Sequence, residues 1–270
     1  MSTKDFTANV ISASKVVPDG NFKDSKASGI WDINEALDLI KGGNWPNAAN
    51  INPSAFVNAL FSIDLWTGND TERTITTGLD MSTNGGLVWL KNRDASASHH
   101  LFNTVSGATY YLQSNNTNAQ DDSAQSLKSF GTTGFTIGTN SNVNNNSQGF
   151  CSWSFRKQPK FFDVVTWTGT GSAMTIDHNL GQVPGMIIVK STSATYDWAV
   201  WHREFTGTTD YIKLNTTAAK TDSAGVFGNG STYLTPTSTQ FFVGGNNQVS
   251  GEVGGGYVAY LFAHNNDDGG

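Results

Sequence analysis

From residue 55 onward, apolar and polar residues alternate in short runs. Phe61, Ile63 and Leu65 alternate with polar neighbours, with shorter echoes at Leu87 and Trp89 and at Phe135 and Ile137. Period two is the signature of a strand, because successive side chains point to opposite faces. Turn clusters separate the runs: Asn84-Gly85-Gly86, Asn115-Asn116, Gly131 and Asn144–Asn146. Short strands at roughly ten-residue spacing between such turns predict an antiparallel sandwich or barrel.

Residues 1–50 follow a different pattern. Short apolar pairs, Val10-Ile11 and Val16-Val17, precede the turn signal Pro18-Asp19-Gly20. One helix is then predicted over about 33–41. Asp32 is its N-cap, and Glu35 three residues later completes a capping box. Ile33, Leu37 and Ile40 share one face, and Gly42, Gly43 and Pro46 stop the helix. Trp31 and Trp45 flank it. A helix of about ten residues is marginal alone, so it needs a partner surface, in this chain or in another protein.

The strongest single feature is an internal repeat. Trp66-Thr67-Gly68 recurs as Trp167-Thr168-Gly169, and Gly86–Lys91 recurs as Gly185–Lys190. At an offset of 100, Gly107, Thr109, Tyr111, Asn115, Thr117, Ala119, Asp122, Ser123 and Ala124 meet identical residues. A unit of about 100 residues is the size of a small sandwich and too long for a solenoid rung. The expected division is an arm over 1–50, repeats over 51–158 and 159–266, and a tail over 267–270. The copies either close two tandem sandwiches or interleave their strands. The short link Arg156–Lys160 favours abutting sandwiches.

Composition narrows the class. Asn, Thr, Ser and Gly make up 113 of the 270 residues, while charged residues reach only 14%. A helical bundle needs Ala, Glu, Lys and Leu in bulk. Charge-driven disorder does not fit a net charge of −6 with 11% aromatics. The absence of a basic block disfavours nucleic acid. No stretch of about 18 apolar residues suggests a membrane span. The start Met1-Ser2-Thr3-Lys4-Asp5 has no signal-peptide pattern, so folding in a cytosol is expected. The single cysteine, Cys151, excludes an intrachain disulfide and is expected to be a buried, inert thiol.

Three blocks carry a resemblance: Gly86–Asp94 with His100–Ala108, Phe130–Gly138, and His178–Gly181 with Val183–Lys190. Together they resemble a domain of tailed-phage virion structural proteins, found in cyanophages and other aquatic phages. That domain looks like a concanavalin-type, lectin-like sandwich. The segments Ala27–Asp32 and Gly43–Pro46 resemble a short module at the start of phage tail or fibre-like proteins. With the repeat, the expected fold is mainly β: two tandem antiparallel, lectin- or jelly-roll-like sandwiches from an internal duplication, preceded by a short arm with one helix. The resemblance also implies assembly in the host cytoplasm, a virion location, and a homo-oligomer such as a trimer. It supplies no catalytic set. The second copy replaces the Asn92-Arg93-Asp94 turn with Ser191-Thr192-Ser193.

The search for chemistry agrees with a non-enzyme. There is no Gly-x-Ser-x-Gly elbow and no phosphate loop. The five histidines form no His-x-x-x-His pattern, and His99 and His100 point to opposite faces of a strand. Asp94, Asp121-Asp122 and Asp267-Asp268 lie in turn-like segments, where Asp favours local hydrogen bonds. No cofactor is expected; calcium, without EF-hand spacing, is the one metal that loop Asp and Asn could take. Trp66, Trp89, Trp153 and Trp167 read as core. Trp198 and Trp201, three apart on a strand, project to opposite faces, so one of them could face outward beside His202. The expected virion attachment set is therefore Trp31, Ile33, Leu37, Ile40 and Trp45, through which other virion proteins would bind the arm. The expected glycan or partner contacts are Arg93, Asp94, Trp198, Trp201 and His202. The expected function is a tail fibre or tail-attached protein that recognises a host surface. A capsid decoration protein and a cell-surface carbohydrate-binding module are the alternatives.

Overall fold

The computed structural model describes residues 57–264. The helix expected over 33–41, with Trp31, Ile33, Leu37, Ile40 and Trp45, lies outside the described residues, as do Asp267 and Asp268.

The fold is mainly β, and its strands pair antiparallel. The first set is β1 (Phe61–Thr67), β2 (Arg73–Thr76), β3 (Gly86–Asn92), β4 (His100–Asn103), β5 (Tyr110–Leu112), β6 (Asp121–Asp122), β7 (Leu127–Phe130), β8 (Gly134–Ile137) and β9 (Gly149–Arg156). A six-stranded sheet runs β1-β9-β3-β4-β5-β6, and a small sheet runs β2-β8-β7. The second set is β10 (Phe162–Thr168), β11 (Met174–Asp177), β12 (Pro184–Ser191), β13 (Ala199–His202), β14 (Asp210–Lys213), β15 (Thr221–Asp222), β16 (Gln240–Val243) and β17 (Gly256–Ala263). Its large sheet runs β10-β17-β12-β13-β14-β15, and its small sheet is β11-β16. Among the described residues no strand of one set joins a sheet of the other, so the strands are not interleaved. Among the described residues, both sets belong to one compact unit that begins at Leu60.

The two large sheets match in detail. Trp66 stacks on Phe150 at 5.7 Å and 13°, and Trp167 stacks on Tyr257 at 5.7 Å and 14°. Each indole Nε1 then donates to a loop carbonyl, Val143 O at 3.3 Å and Val249 O at 3.0 Å. These bonds satisfy the indole N–H groups of Trp66 and Trp167, as is usual for a tryptophan withdrawn from water.

Three cores follow from the layering. In the first, Trp66, Val88, Leu90, Phe102 and Phe150 of the large sheet meet Ile75, Leu127, Phe135 and Ile137 of the small one. In the second, Ile187, Val189, Trp201, Ala259 and Leu261 meet Ile176, Phe241 and Val243. The third joins the opposite faces of the two large sheets: Leu87, Leu101 and Leu112 against Phe162, Val164, Ile188, Trp198, Val258 and Tyr260. The order is therefore small, large, large, small. Each fully buried side chain of this kind stabilises by ~1.5–3 kcal/mol, so the third core fastens the two sandwiches into one block. Polar ties support it. Trp198 Nε1 donates to Gln113 O at 3.0 Å and Asn116 O at 3.1 Å, and Asn103 Nδ2 donates to the Tyr260 hydroxyl at 3.2 Å.

The large sheets are offset, with β10 lying against β3. The outer face of β1 is left open. Ile63 is 58% and Leu65 65% exposed, whereas Val164 on β10 is 1% exposed. The alternation of Phe61, Ile63 and Leu65 thus marks a true strand, but it is Trp66 that faces its core.

Candidate functional site

Two connections, β12–β13 and β16–β17, meet strand β14 in the second sandwich and frame an open cleft of about 580 Å³, lined by Tyr196, Tyr211, Lys213 and Gly245–Gln248. That volume is in the usual range of small-molecule sites. Tyr211, rooted in the second core, and Gln248 are buried; Tyr196 and Lys213 are half-buried; Asn246 and Asn247 form an exposed rim.

Each wall is fixed by local bonds. Tyr196 sits between β12 and β13. Beneath that connection, the fully buried Lys190 Nζ donates to Ser191 O at 2.9 Å and Ala194 O at 3.1 Å. Burial lowers the Lys190 pKa to about 8. Lys213 ends β14, and its Nζ lies 2.7 Å from Asp197 Oδ2. Asn215 braces the pair: its Nδ2 donates to Asp197 Oδ1 at 2.8 Å, and its Oδ1 accepts from Trp198 N at 2.9 Å. The Asn215 hydrogen bond, followed by the contact with Lys213, holds the Asp197 carboxyl below its ordinary pKa. The hydrogen bond to Asp197 in turn raises the Lys213 ammonium.

The third wall follows β16. A side chain at Gly244 would put its Cβ 2.4 Å from Gly225 O, so only glycine allows the chain to close there. Asn246 then builds the turn, with its Oδ1 accepting from Gln248 N at 2.9 Å and its carbonyl from Val249 N at 3.0 Å. Tyr257 donates its hydroxyl hydrogen to Asn247 O at 3.0 Å. Gln248 is only 9% exposed, and its Oε1 has no hydrogen-bond partner.

The first sandwich has the same backbone without the same side chains. Ala97 N bonds Ala95 O as Tyr196 N bonds Ala194 O, and Asn142 N bonds Asn140 Oδ1 as Gln248 N bonds Asn246 Oδ1. Asn115 Nδ2 reaches Ser98 Oγ where Asn215 Nδ2 reaches Asp197. The counterparts of Tyr196, Asp197 and Gln248 are therefore Ala97, Ser98 and Asn142, and Asn142 is exposed. At the offset of 100, Gln113 stands for Lys213.

A family model described as a domain of unknown function, DUF7483, matches residues 52–267. The chain belongs to the DUF7483 family. No curated protein and no solved structure matches it.

In this DUF7483 chain the expected contact residues do not converge. Arg93 and Asp94 are exposed in the β3–β4 connection of the first sandwich, where Asp94 Oδ2 accepts from Gly149 N at 2.6 Å. His202 ends β13 and caps a short 3-10 turn, its Nδ1 accepting from Glu204 N at 3.3 Å. Trp198 and Trp201 do project to opposite faces, but neither faces outward. Trp198 is 0% exposed and Trp201 1%. The face expected to be free is covered by the other large sheet. Trp201 lies in the second core and Trp198 in the third. Of the tryptophans read as core, Trp66 is buried, while Trp89, Trp153 and Trp167 are half-buried. Among the described residues no group of three or more His, Cys, Asp or Glu lies placed to hold a metal. The residues that form the cleft, Tyr196, Lys213 and Gln248, escape a search for motifs. The signal that finds them is the difference between the two sandwiches.

Cys151 is 7% exposed, and its thiol donates to Lys91 O at 3.7 Å. Burial pushes its pKa up. A thiol reagent at neutral pH should therefore label the native protein slowly and the urea-unfolded protein at once. Equal rates would contradict the burial.

Proposed function

We propose that this chain is a non-enzymatic structural component of a tailed-phage particle, carried on the tail or a fibre, that recognises the host surface with the cleft of its second sandwich. The observation that carries the reading is the cleft itself: Tyr196 and the amides of Asn246, Asn247 and Gln248 on loops, held by a four-layer block. Recognition residues commonly sit on loops positioned by such a scaffold. The sequence resemblance supplies the particle. The matching halves support an internal duplication, and a weak contact becomes effective when many copies act together. Immunogold electron microscopy of purified particles tests this. Label at the tail is the expected result, and absence of the chain from the particles overturns it.

A second observation favours the decoration reading. The open face of β1 presents Ile63 and Leu65 beside half-buried Trp153, an apolar patch suited to a protein neighbour. Label spread over the capsid would support that role.

A further inference from the structure

We infer that β1 is a self-pairing edge: two copies of this chain lay β1 against β1, antiparallel about a two-fold axis at Ile63, and join their six-stranded sheets into one. This deepens the protein-neighbour reading of the β1 face. It rests on that reading for the surface alone and not for the particle.

The backbone is the first argument. β1 is an end strand of its sheet. Arg156 N donates to Leu60 O at 2.7 Å and Gly68 N to Gln148 O at 2.8 Å, while Ser62, Asp64 and Trp66 lie opposite Ser154, Ser152 and Phe150. In an antiparallel ladder, pairs that exchange hydrogen bonds alternate with pairs that do not. The even residues of β1 therefore aim their N–H and C=O groups at β9. Phe61, Ile63 and Leu65 aim theirs outward, where no group among the described residues bonds them. The open edge ends at Thr67, whose carbonyl accepts from Arg73 Nη1 at 2.9 Å.

The matching strand of the second sandwich shows how such an edge is closed. β10 also ends its sheet. There Phe162 exchanges both backbone hydrogen bonds with Gln158, at 3.0 and 3.1 Å. Val164 N donates to Asp163 Oδ1 at 2.9 Å, and Val164 O faces Lys157 Nζ at 3.5 Å. Charged side chains and a covering segment are common guards against edge-to-edge pairing. By the match of Trp66 with Trp167, Phe61 and Ile63 stand where Phe162 and Val164 stand, without those guards. The end strands β6 and β15 have only two residues each, too short for a long ladder.

The side chains are the third argument, and they select a second copy. Phe61, Ile63 and Leu65 share the open face, beside Phe155, Trp153 and Cys151 of β9. This surface continues into the third core: Phe61 lies 4.9 Å from Phe155, and Phe155 lies 5.5 Å from Phe162, between ring centroids. A two-fold axis at Ile63 sets Ile63 against its own copy and Phe61 against Leu65 of the second copy. Every outward N–H and C=O of the three residues is then paired, and each apolar side chain meets another. On the opposite face Asp64 stands across from Ser62 of the second copy, so the two carboxylates are not placed directly opposite. A self-complementary patch of this kind is what a two-fold dimer requires.

The test is sedimentation of the full chain over a range of concentrations, with amide hydrogen exchange on the same samples. A monomer–dimer equilibrium is expected. The amides of Phe61, Ile63 and Leu65 should exchange slower by about tenfold or more in the dimer than in dilute monomer, while those of Ser62, Asp64 and Trp66 stay slow in both. Ile63→Lys sets two ammonium groups together at the axis and should weaken dimerisation by about tenfold or more. Ile212→Lys, at an exposed position of β14, should leave it unchanged. Diluted to monomer, both variants should keep the stability of the parent. A chain that stays monomeric, an oligomer in which the Phe61, Ile63 and Leu65 amides exchange freely, or a dimer unaffected by Ile63→Lys would each overturn the inference. Such a dimer formed by a chain absent from virions would uphold it and remove the particle reading instead.

Discussion

Trp198→Ala is expected to destabilise the protein by about 3–5 kcal/mol, the usual cost of truncating a fully buried aromatic residue. The indole is 0% exposed and stacks near Tyr260, with ring centroids 6.4 Å apart at 22°. Its Nε1 bridges two carbonyls of the first sandwich, at Gln113 and Asn116. Truncation therefore opens a cavity in the third core and removes hydrogen bonds across it. Urea denaturation at neutral pH measures the loss. Leu65→Ala, at an exposed position of β1, should stay within ~0.5 kcal/mol of the parent. Trp201→Ala offers a sharper comparison. It removes an equally buried ring from the core of the second sandwich alone. Only Trp198→Ala should loosen one sandwich from the other, seen as a broadened or split transition. A cost below about 1 kcal/mol for Trp198→Ala would mean that the large sheets do not pack face to face.

The same tryptophan shows what could be read from the sequence. Strand periodicity placed Trp198 and Trp201 on opposite faces, which the structure bears out. It could not show that both faces of the large sheet are covered. A signal for that was present but differs from alternation: Met186-Ile187-Ile188-Val189 and Tyr257–Phe262 are nearly unbroken apolar runs. Such runs mark strands buried on both sides. In β1 the opposite holds. Its alternation is clean because one face, with Ile63 and Leu65, is left open by the offset between sheets.

The amide-rich composition also has a more specific meaning than a polar surface. Asn92, Asn103 and Asn144 are buried. Oδ1 atoms of Asn92, Asn103, Asn140, Asn229 and Asn246 accept backbone N–H groups two or three residues on. These side chains close turns, which is why Asn is favoured there. The cleft stayed hidden for a related reason. The identities between the two halves report shared turns and strands, whereas Tyr196, Lys213 and Gln248 stand where the halves differ. No single-residue rule singles out such positions; the register of the two sandwiches does.

Acid should weaken the fold through His100, and replacing it should remove much of that sensitivity. The imidazole is 1% exposed, against Tyr111 at 4.8 Å and Phe102 at 6.2 Å between ring centroids. Its Nδ1 pairs with Ser98 O at 3.1 Å, which makes Nδ1 the protonated nitrogen of the neutral ring. Burial lowers its pKa to about 4; the Ser98 contact opposes this, and the charges of His99 and Lys91 add to it. The unfolded chain takes up a proton near pH 6.5, and the folded chain only near 4. Stability is thus unaffected by this group above about 6.5 and falls as pH drops through that window. The full loss is about 3 kcal/mol below pH 4, at ~1.36 kcal/mol per unit. Burial shifts His178 in the same direction, so the parent protein loses stability through more than one histidine. The comparison with His100→Phe isolates one of them. Its stability at neutral pH falls by the lost Ser98 hydrogen bond, about 1 kcal/mol. Its curve between pH 6.5 and 4 should be flatter than the parent's by up to one proton. Parallel curves in urea denaturation across that range would show that His100 takes up its proton in the folded state as readily as in the unfolded chain.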